Sequence, residues 1–254
     1  MIGFTFNSIA SSTYGIVAKS VTRPLLPTLR KRELVVPGRH GAYSFNDETF
    51  DQRIIEVELK YIGTSFAELR TRARTIAAWL SGFSGSKNLV FSDEPDKYYI
   101  GKIYSEVGLQ NLFKLGECTV QFECEPFAYS VTTRSVTATI TASGVAMVVS
   151  SSGTFNTPPT IILKNINLSS IETFTLTSTE ANAAITYSGA FTLCASITLD
   201  MDKMTALLNV TNTLNDISGN FFNLMSGENT ITYTDNTTSA GTVGITVSYT
   251  DRWV

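Results

Sequence analysis

Histidine occurs once in this 254-residue chain, at position 40, and that scarcity removes whole classes of chemistry. Ser-His-Asp and Cys-His nucleophile systems need an imidazole base, so every such mechanism would depend on His40 alone. His40 lies in Pro37-Gly-Arg-His-Gly41, where flanking glycines predict a hairpin turn or loop tip. A tip is a poor place to hold a base against a third, orienting group. Cysteine is nearly as scarce, with three residues, Cys118, Cys124 and Cys194. Cys118 and Cys124 share the parity of one predicted strand. They would lie about 20 Å apart at ~3.3 Å per residue, far beyond disulfide reach. All three are expected as buried free thiols of a protein folded in a reducing cytoplasm. No Cys/His spacing suits zinc, and Gly82-Phe-Ser-Gly85-Ser-Lys87 lacks the strand and spacing of a phosphate loop. No cofactor or metal is expected.

Charge is sparse too. Only 16% of residues are charged and the formal net charge is −3, against the Lys/Arg excess that a general nucleic-acid binder needs. The longest apolar runs, such as Val145–Val149, are too short to cross a bilayer, so no membrane insertion is expected. The first basic residue is Lys19, leaving no signal-peptide pattern ahead of it. The acidic pairs Asp93-Glu94 and Asp200/Asp202 raise the possibility of paired-carboxylate catalysis or calcium. Solvated turns at strand ends account for the same residues, and no loop presents the six or more oxygens calcium takes.

What the chain does contain changes character near residue 135. Residues 1–135 carry sixteen Lys and Arg against fourteen Asp and Glu, a formal +2; the remainder carries three against eight, a formal −5. The second part is dominated by Thr, Ser and Asn, which favour strands (Thr) and turns (Ser, Asn). A boundary at about 130–137 divides the chain into domains 1–134 and 135–254.

In the first domain, Ile55, Val57, Leu59 and Tyr61 alternate with Glu56, Glu58 and Lys60, and Cys118, Val120, Phe122 and Cys124 alternate with Thr119, Gln121 and Glu123. Both are half-buried strands. Between them, residues 65–80 predict a helix. Ser65 and Glu68 form a capping box, Phe66, Leu69, Ala73, Ile76, Ala77 and Leu80 form the buried stripe, and Gly82 offers a stop. Arg70 and Arg74 fall on the flank of that stripe, and Arg72 pairs with Glu68 on the wet side. The second domain shows only short alternating runs, suiting an antiparallel sandwich, with a short helix over 202–210. Asn167, Asn209 and Asn236 match the glycosylation sequon, but such matches arise by chance in a segment this rich in Asn, Ser and Thr. Tyr233, Tyr249 and Trp253 could stack on sugar rings, which makes a carbohydrate-binding module in host attachment the alternative function; core packing accounts for the same aromatics.

An ordered series of short motifs narrows the reading. Tyr14-Gly15, Pro24 and Pro27, Pro37-Gly-Arg-His-Gly41, Ala78-Trp79-Leu80, Asp93-Glu-Pro-Asp-Lys-Tyr-Tyr99, and Gly116 through Phe122-Glu-Cys-Glu-Pro-Phe127 follow one another over about 130 residues. This series resembles the N-terminal domain of the distal tail proteins of long-tailed phages that infect Gram-positive bacteria. Phe221-Phe-Asn-Leu-Met-Ser-Gly-Glu-Asn-Thr-Ile231 and the closing stretch from Val247 to Trp253 resemble that family's C-terminal domain, with Ser226 where proline is usual. The resemblance implies a mainly β protein with a single helix. A sandwich-like, ring-forming domain with a hairpin would precede a galectin-like or carbohydrate-module-like sandwich.

It further implies a structural virion protein and no enzyme: a homohexameric hub at the tail tip, assembled in the host cytoplasm. The hub would join the tail tube to the host-adsorption apparatus and leave a channel through which DNA passes unbound. Tail-tube, tail-tip and receptor-binding proteins would be its partners. A closed ring needs two different, mating patches per chain. Pro37, Gly38, Arg39, His40 and Gly41, with Arg70 and Arg74, are the expected interface residues.

Overall fold

Residues whose apolar side chains recur at every second position form the strands that hold this protein together. The computed structural model describes residues 2–45, 49–62, 65–81, 83, 85–104, 116–167, 170–236 and 242–254. Two units, 1–131 and 132–253, each have their own core. Among the described residues the architecture is mainly β with a single α-helix.

The first unit contains β1 (Phe4–Phe6), β2 (Ile9–Ala10), β3 (Ile16–Thr22), β4 (Arg32–Leu34), β5 (Tyr43–Phe45), β6 (Arg53–Tyr61), α1 (Phe66–Leu80), β7 (Lys87–Phe91), β8 (Glu94–Ile103) and β9 (Glu117–Ser130). The main sheet runs β2-β1-β7-β8-β9-β6-β3, antiparallel throughout. Ile2 and Ala18 exchange two 2.9 Å backbone hydrogen bonds, so the chain just ahead of β1 reaches β3 and the sheet closes on itself. The inward parity of β6 and β9 follows the sequence: Ile55, Val57, Leu59, Cys118, Val120, Phe122 and Cys124 are all buried.

The second unit contains β10 (Arg134–Ile140), β11 (Val145–Ser151), β12 (Thr160–Asn165), β13 (Ser170–Ser178), β14 (Ala183–Thr192), β15 (Ser196–Asp200), β16 (Thr205–Leu208), β17 (Thr211–Asn212), β18 (Ile217–Gly219), β19 (Gly227–Asp235) and β20 (Val243–Tyr249). They build two antiparallel sheets, β10-β20-β12-β15-β16-β17 and β11-β19-β13-β14-β18. One continuous core includes Phe174, Tyr187, Phe191 and Tyr233. The outer side explains the excess of hydroxyl residues. Thr133–Thr250, Ser135–Ser248 and Thr137–Thr246 form a ladder of exposed side-chain hydrogen bonds at 3.2–3.3 Å.

Three local expectations change. The 202–210 segment is a turn followed by β16 and not a helix, because Ala206 and Leu208 alternate with exposed Leu207 against β15. Cys194 is exposed in the turn before β15, while Cys118 and Cys124 are buried; all three are unpaired thiols. In α1 Ala77 is exposed and Trp79 takes the buried place beside Ala73, Ile76 and Leu80. The side chains of Phe66 and Leu69, and Gly82, lie outside the described residues.

Candidate interaction surface

β3 and β6 pair directly, from Ile16↔Tyr61 to Thr22↔Glu56. Adjacent antiparallel strands need only a few connecting residues, yet the chain makes a long excursion, residues 23–52, before returning. At its root, Arg23 pairs with Asp93 and Glu94 and lies 4.9 Å from the centre of the Phe91 ring. The two sides of the arm are then tied by Arg30 N–H to Thr49 O (2.9 Å) and Asp51 N–H to Thr28 O (2.7 Å). Phe50 meets Phe127 edge-on at 6.1 Å.

Beyond the root the arm becomes the β4–β5 hairpin, which pairs only with itself and is exposed along both strands. Pro37, Gly38, Arg39, His40 and Gly41 form its tip. Gly38 (φ +82°) and Gly41 (φ +79°) occupy the left-handed region, which explains the glycines flanking His40. Arg39 N–H donates to Val36 O at 3.2 Å, and its guanidinium lies 5.8 Å from the Tyr43 ring centre. Leu34 and Tyr43 stand opposite each other, and Tyr43 packs edge-on against Phe45 at 5.1 Å. The arm exposes Leu25, Leu26, Leu29, Leu34, Val35, Val36, Tyr43 and Phe45; Val35 is 75% exposed and Tyr43 50%. So many large apolar side chains on one projection make it the candidate interaction surface of the first unit.

α1 is built as the sequence indicates at its start. Ser65 Oγ accepts the Glu68 backbone N–H at 3.2 Å, and Arg72 pairs with Glu68 at 2.8 Å. Trp79 anchors the helix: its indole N–H donates to Phe6 O at 2.9 Å, and its ring lies 5.7 Å from Phe4 and 4.9 Å from Tyr14. Arg70 and Arg74 are exposed and make no ion pair among the described residues. No described hydrogen bond, ion pair or ring contact joins them to the hairpin tip.

The other candidates resolve into structure. Tyr233 is 1% and Tyr249 4% exposed. Tyr233 stacks on Phe174 at 5.9 Å, and the Tyr249 hydroxyl donates to Ser150 O at 2.6 Å. Neither ring offers a face to a sugar, and Trp253 is half-buried, so the three do not make a stacking platform. Asp200 caps a turn, accepting the Asp202 and Lys203 N–H groups at 3.1 and 3.0 Å and pairing with the Lys203 ammonium at 2.7 Å. Burial pulls the Asp200 carboxyl up, but these bonds outweigh it and hold it below the usual range. Asp202 pairs with Arg252 at 3.0 Å. Among the described residues no cluster could hold a metal ion.

The three sequon asparagines also have local work. The side-chain oxygens of Asn167, Asn209 and Asn236 accept backbone N–H groups of Thr242, Ser196 and Thr173 at 2.6, 3.0 and 3.3 Å. Burial pushes the Cys118 thiol up to about 11 and the Cys124 thiol up to about 12. A thiol reagent at mildly alkaline pH should therefore modify Cys194 quickly, and Cys118 and Cys124 only once denaturant is added. Rapid labelling of a second thiol in the native protein would contradict the burial.

The Phe221–Ile231 motif of the second unit has a clear structural reason. Asn229 is fully buried. Its Oδ1 accepts the Met225 N–H at 2.7 Å, and its Nδ2 donates to Met225 O at 2.9 Å and Gly227 O at 3.0 Å. Ser226, in place of the usual proline, donates its hydroxyl to Gly153 O at 2.7 Å. The arm's apolar residues, and the buried role of Asn229 within its motif, were the features that sequence reasoning passed over. The available signals were the Leu25-Leu26 and Leu34-Val-Val36 runs, which fit neither strand nor helix periodicity.

Comparison with known proteins agrees with this two-unit architecture. Residues 10–124 match the phage tail protein RIFT-related domain, and residues 152–253 match the siphovirus-type tail component, C-terminal domain. The crystal structure of the Dit protein of phage SPP1, described as a paradigm of the hub adsorption apparatus in Gram-positive-infecting phages, superposes with a TM-score of 0.76 over 100% of both chains at 16% identity. The likeness is one of fold. The infectious bursal disease virus Gx strain (TM-score 0.22, 12% identity, 87% of this chain and 55% of that one) is too distant to carry an argument. The same holds for the exo-β-1,3-galactanase of Phanerochaete chrysosporium (0.19, 9%, 76% and 54%). No curated protein sequence matches. The two matched domains, in this order, define a structural component of a siphophage tail. Within that class, the chain belongs to the distal tail, or Dit, family.

Proposed function

We propose that six copies of this chain close into a ring that serves as the hub at the distal end of the tail. The ring joins the tail tube to the host-adsorption apparatus, where tail-tip and receptor-binding proteins dock, and leaves a channel for DNA. In this reading residues 1–134 form the ring and residues 135–254 carry a galectin-like sandwich. The observation that supports it most is the arm: an exposed apolar hairpin on a chain otherwise well packed is half of a head-to-tail contact. Family membership and the SPP1 Dit fold support the tail-hub role. Negative-stain images of the purified protein should show sixfold annular particles. A field of single two-domain particles would sink the proposal.

Pro37 to Gly41 and the flank of α1 at Arg70 and Arg74 take part in the contact. Arg39→Glu reverses an exposed tip charge and should shift the ring toward single chains, read as a lower molar mass at equal concentration. Assembly equal to the parent would remove Arg39 from the interface. Passage of DNA is best served by a wall that does not hold phosphate, and the net charge of −3 suits this. The ring should show no salt-sensitive retention of DNA; a micromolar mobility shift at ordinary salt would contradict the channel's passive role.

A further inference from the structure

Among the described residues of the first unit, Arg53 is the single charged side chain that the fold buries. It opens β6, and the inward parity it shares with Ile55 and Val57 carries it inside the main sheet at 4% exposure. Directly opposite stands Cys124 of β9, and Gly101 of β8 stands opposite Cys124 in turn. The guanidinium carbon lies 5.7 Å from the centre of the buried Tyr99 ring.

What this cation lacks is an acceptor. Its Nε and Nη2 are buried and meet no hydrogen-bond partner. These two nitrogens form one edge of the planar guanidinium, so their N–H groups converge on a single spot, as the prongs do that grip an anion. The neighbouring carboxylates are engaged elsewhere. Asp93 and Glu94 hold Arg23, and Glu94 also holds Lys97 at 3.0 Å. Glu123 pairs with Lys102 at 3.2 Å, and Glu125 accepts the Tyr129 hydroxyl at 2.5 Å. The Cys124 thiol adds no counter-charge, since burial pushes it up to about 12 and keeps it neutral. A water at this edge would satisfy the donors yet leave the charge unbalanced, and an unpaired buried charge is strongly destabilising.

Little room is left for an occupant. Tyr99 flanks the guanidinium, and a Cβ at Gly101 would lie 2.4 Å from Cys124 Sγ. Sulfate and phosphate are bulky and strongly hydrated, a poor match to so closed a place. A halide brings one negative charge in a single atom. We infer that the Nε/Nη2 edge of Arg53 binds a chloride ion inside the first unit, as the counter-ion of this buried cation. The ion binds the folded unit alone and stabilises it by mass action.

Denaturant unfolding of the full chain tests this, with chloride replacing gluconate at constant ionic strength. Trp79 and Trp253 are the two tryptophans, so in a Trp253→Phe background fluorescence reports the first unit. Its folded-to-unfolded ratio should rise about tenfold for each tenfold rise in chloride above the dissociation constant. Arg53→Met, which keeps length and removes charge, should abolish that dependence. Crystals of the parent soaked in bromide should show an anomalous scatterer within hydrogen-bond reach of Nε and Nη2, a readout that stands even if Arg53→Met does not fold. Stability indifferent to chloride, or bromide absent from Arg53, would overturn the site. Chloride dependence retained in Arg53→Met would place the ion elsewhere and overturn it too. Protection by formate and not by chloride would overturn the halide.

Discussion

Replacing Leu34, Tyr43 and Phe45 together by serine should yield a folded chain that no longer assembles. These side chains are about half exposed in the single chain, so their loss costs the fold little; surface substitutions typically change stability by about 0.5 kcal/mol or less. The same exposure means that roughly half of each side chain's burial energy is still to be gained on association. At about 1 kcal/mol each, the three contribute ~3 kcal/mol per contact, a weakening of roughly a hundredfold. A closed ring has as many such contacts as subunits, so the loss compounds. The measurement is molar mass beside circular dichroism: single-chain mass with an unchanged β spectrum is expected. Parent-like oligomers would show that the arm is not an assembly element.

The second large effect concerns Asn229 and touches only the fold. Its amide makes three short hydrogen bonds from a position with no solvent access. Asn229→Ala abandons the Met225 N–H and two carbonyls at once and should cost about 3 kcal/mol, read from denaturant unfolding of the second unit. Asn229→Asp is the sharper probe. It keeps the acceptor for Met225 N–H but sets a carboxylate oxygen against two carbonyls, in a site where an anion has no water. Its folded-state pKa would therefore rise above the ordinary Asp value of about 3.9. A raised folded pKa means that the native form holds the proton more tightly. Stability should thus be lowest at neutral pH and recover as the pH falls through that pKa toward 3.9, where a protonated carboxyl can donate as the amide did. A variant as stable as the parent at pH 7, or one that loses stability on mild acidification, would contradict the assigned geometry.

What the sequence made legible was whatever depends on local periodicity. The parity of Ile55, Val57 and Leu59 and of Val120 and Phe122 identified strands and their inward faces, because a half-buried strand leaves no other arrangement for alternate apolar residues. Ser65 with Glu68 located the start of α1, since the cap is made within one turn. Errors arose where tertiary packing decides. Trp79 displaced Ala77 from the buried stripe because the indole finds the Phe6 carbonyl and the rings of Phe4 and Tyr14, all distant in sequence. Within 202–210, residues 205–208 became a strand because β15 offers them a ladder. Tyr233 and Tyr249 left a sugar platform and core packing both open, because an aromatic residue reads alike whether its ring faces solvent or core. The closure through Ile2 and Ala18 has no local sign at all. Of the interaction surface, the tip glycines could be read from their pattern, while the arm's exposed leucines and valines resembled ordinary core residues until the fold left them outside.

The proposed hub would do its work through the number and arrangement of its copies, so mass in solution is the most direct test. Light scattering of the purified full-length protein over a wide concentration range should report six copies of the 27.7 kDa chain, and the same mass on dilution until the ring opens. A mass of one chain at every concentration would contradict the account.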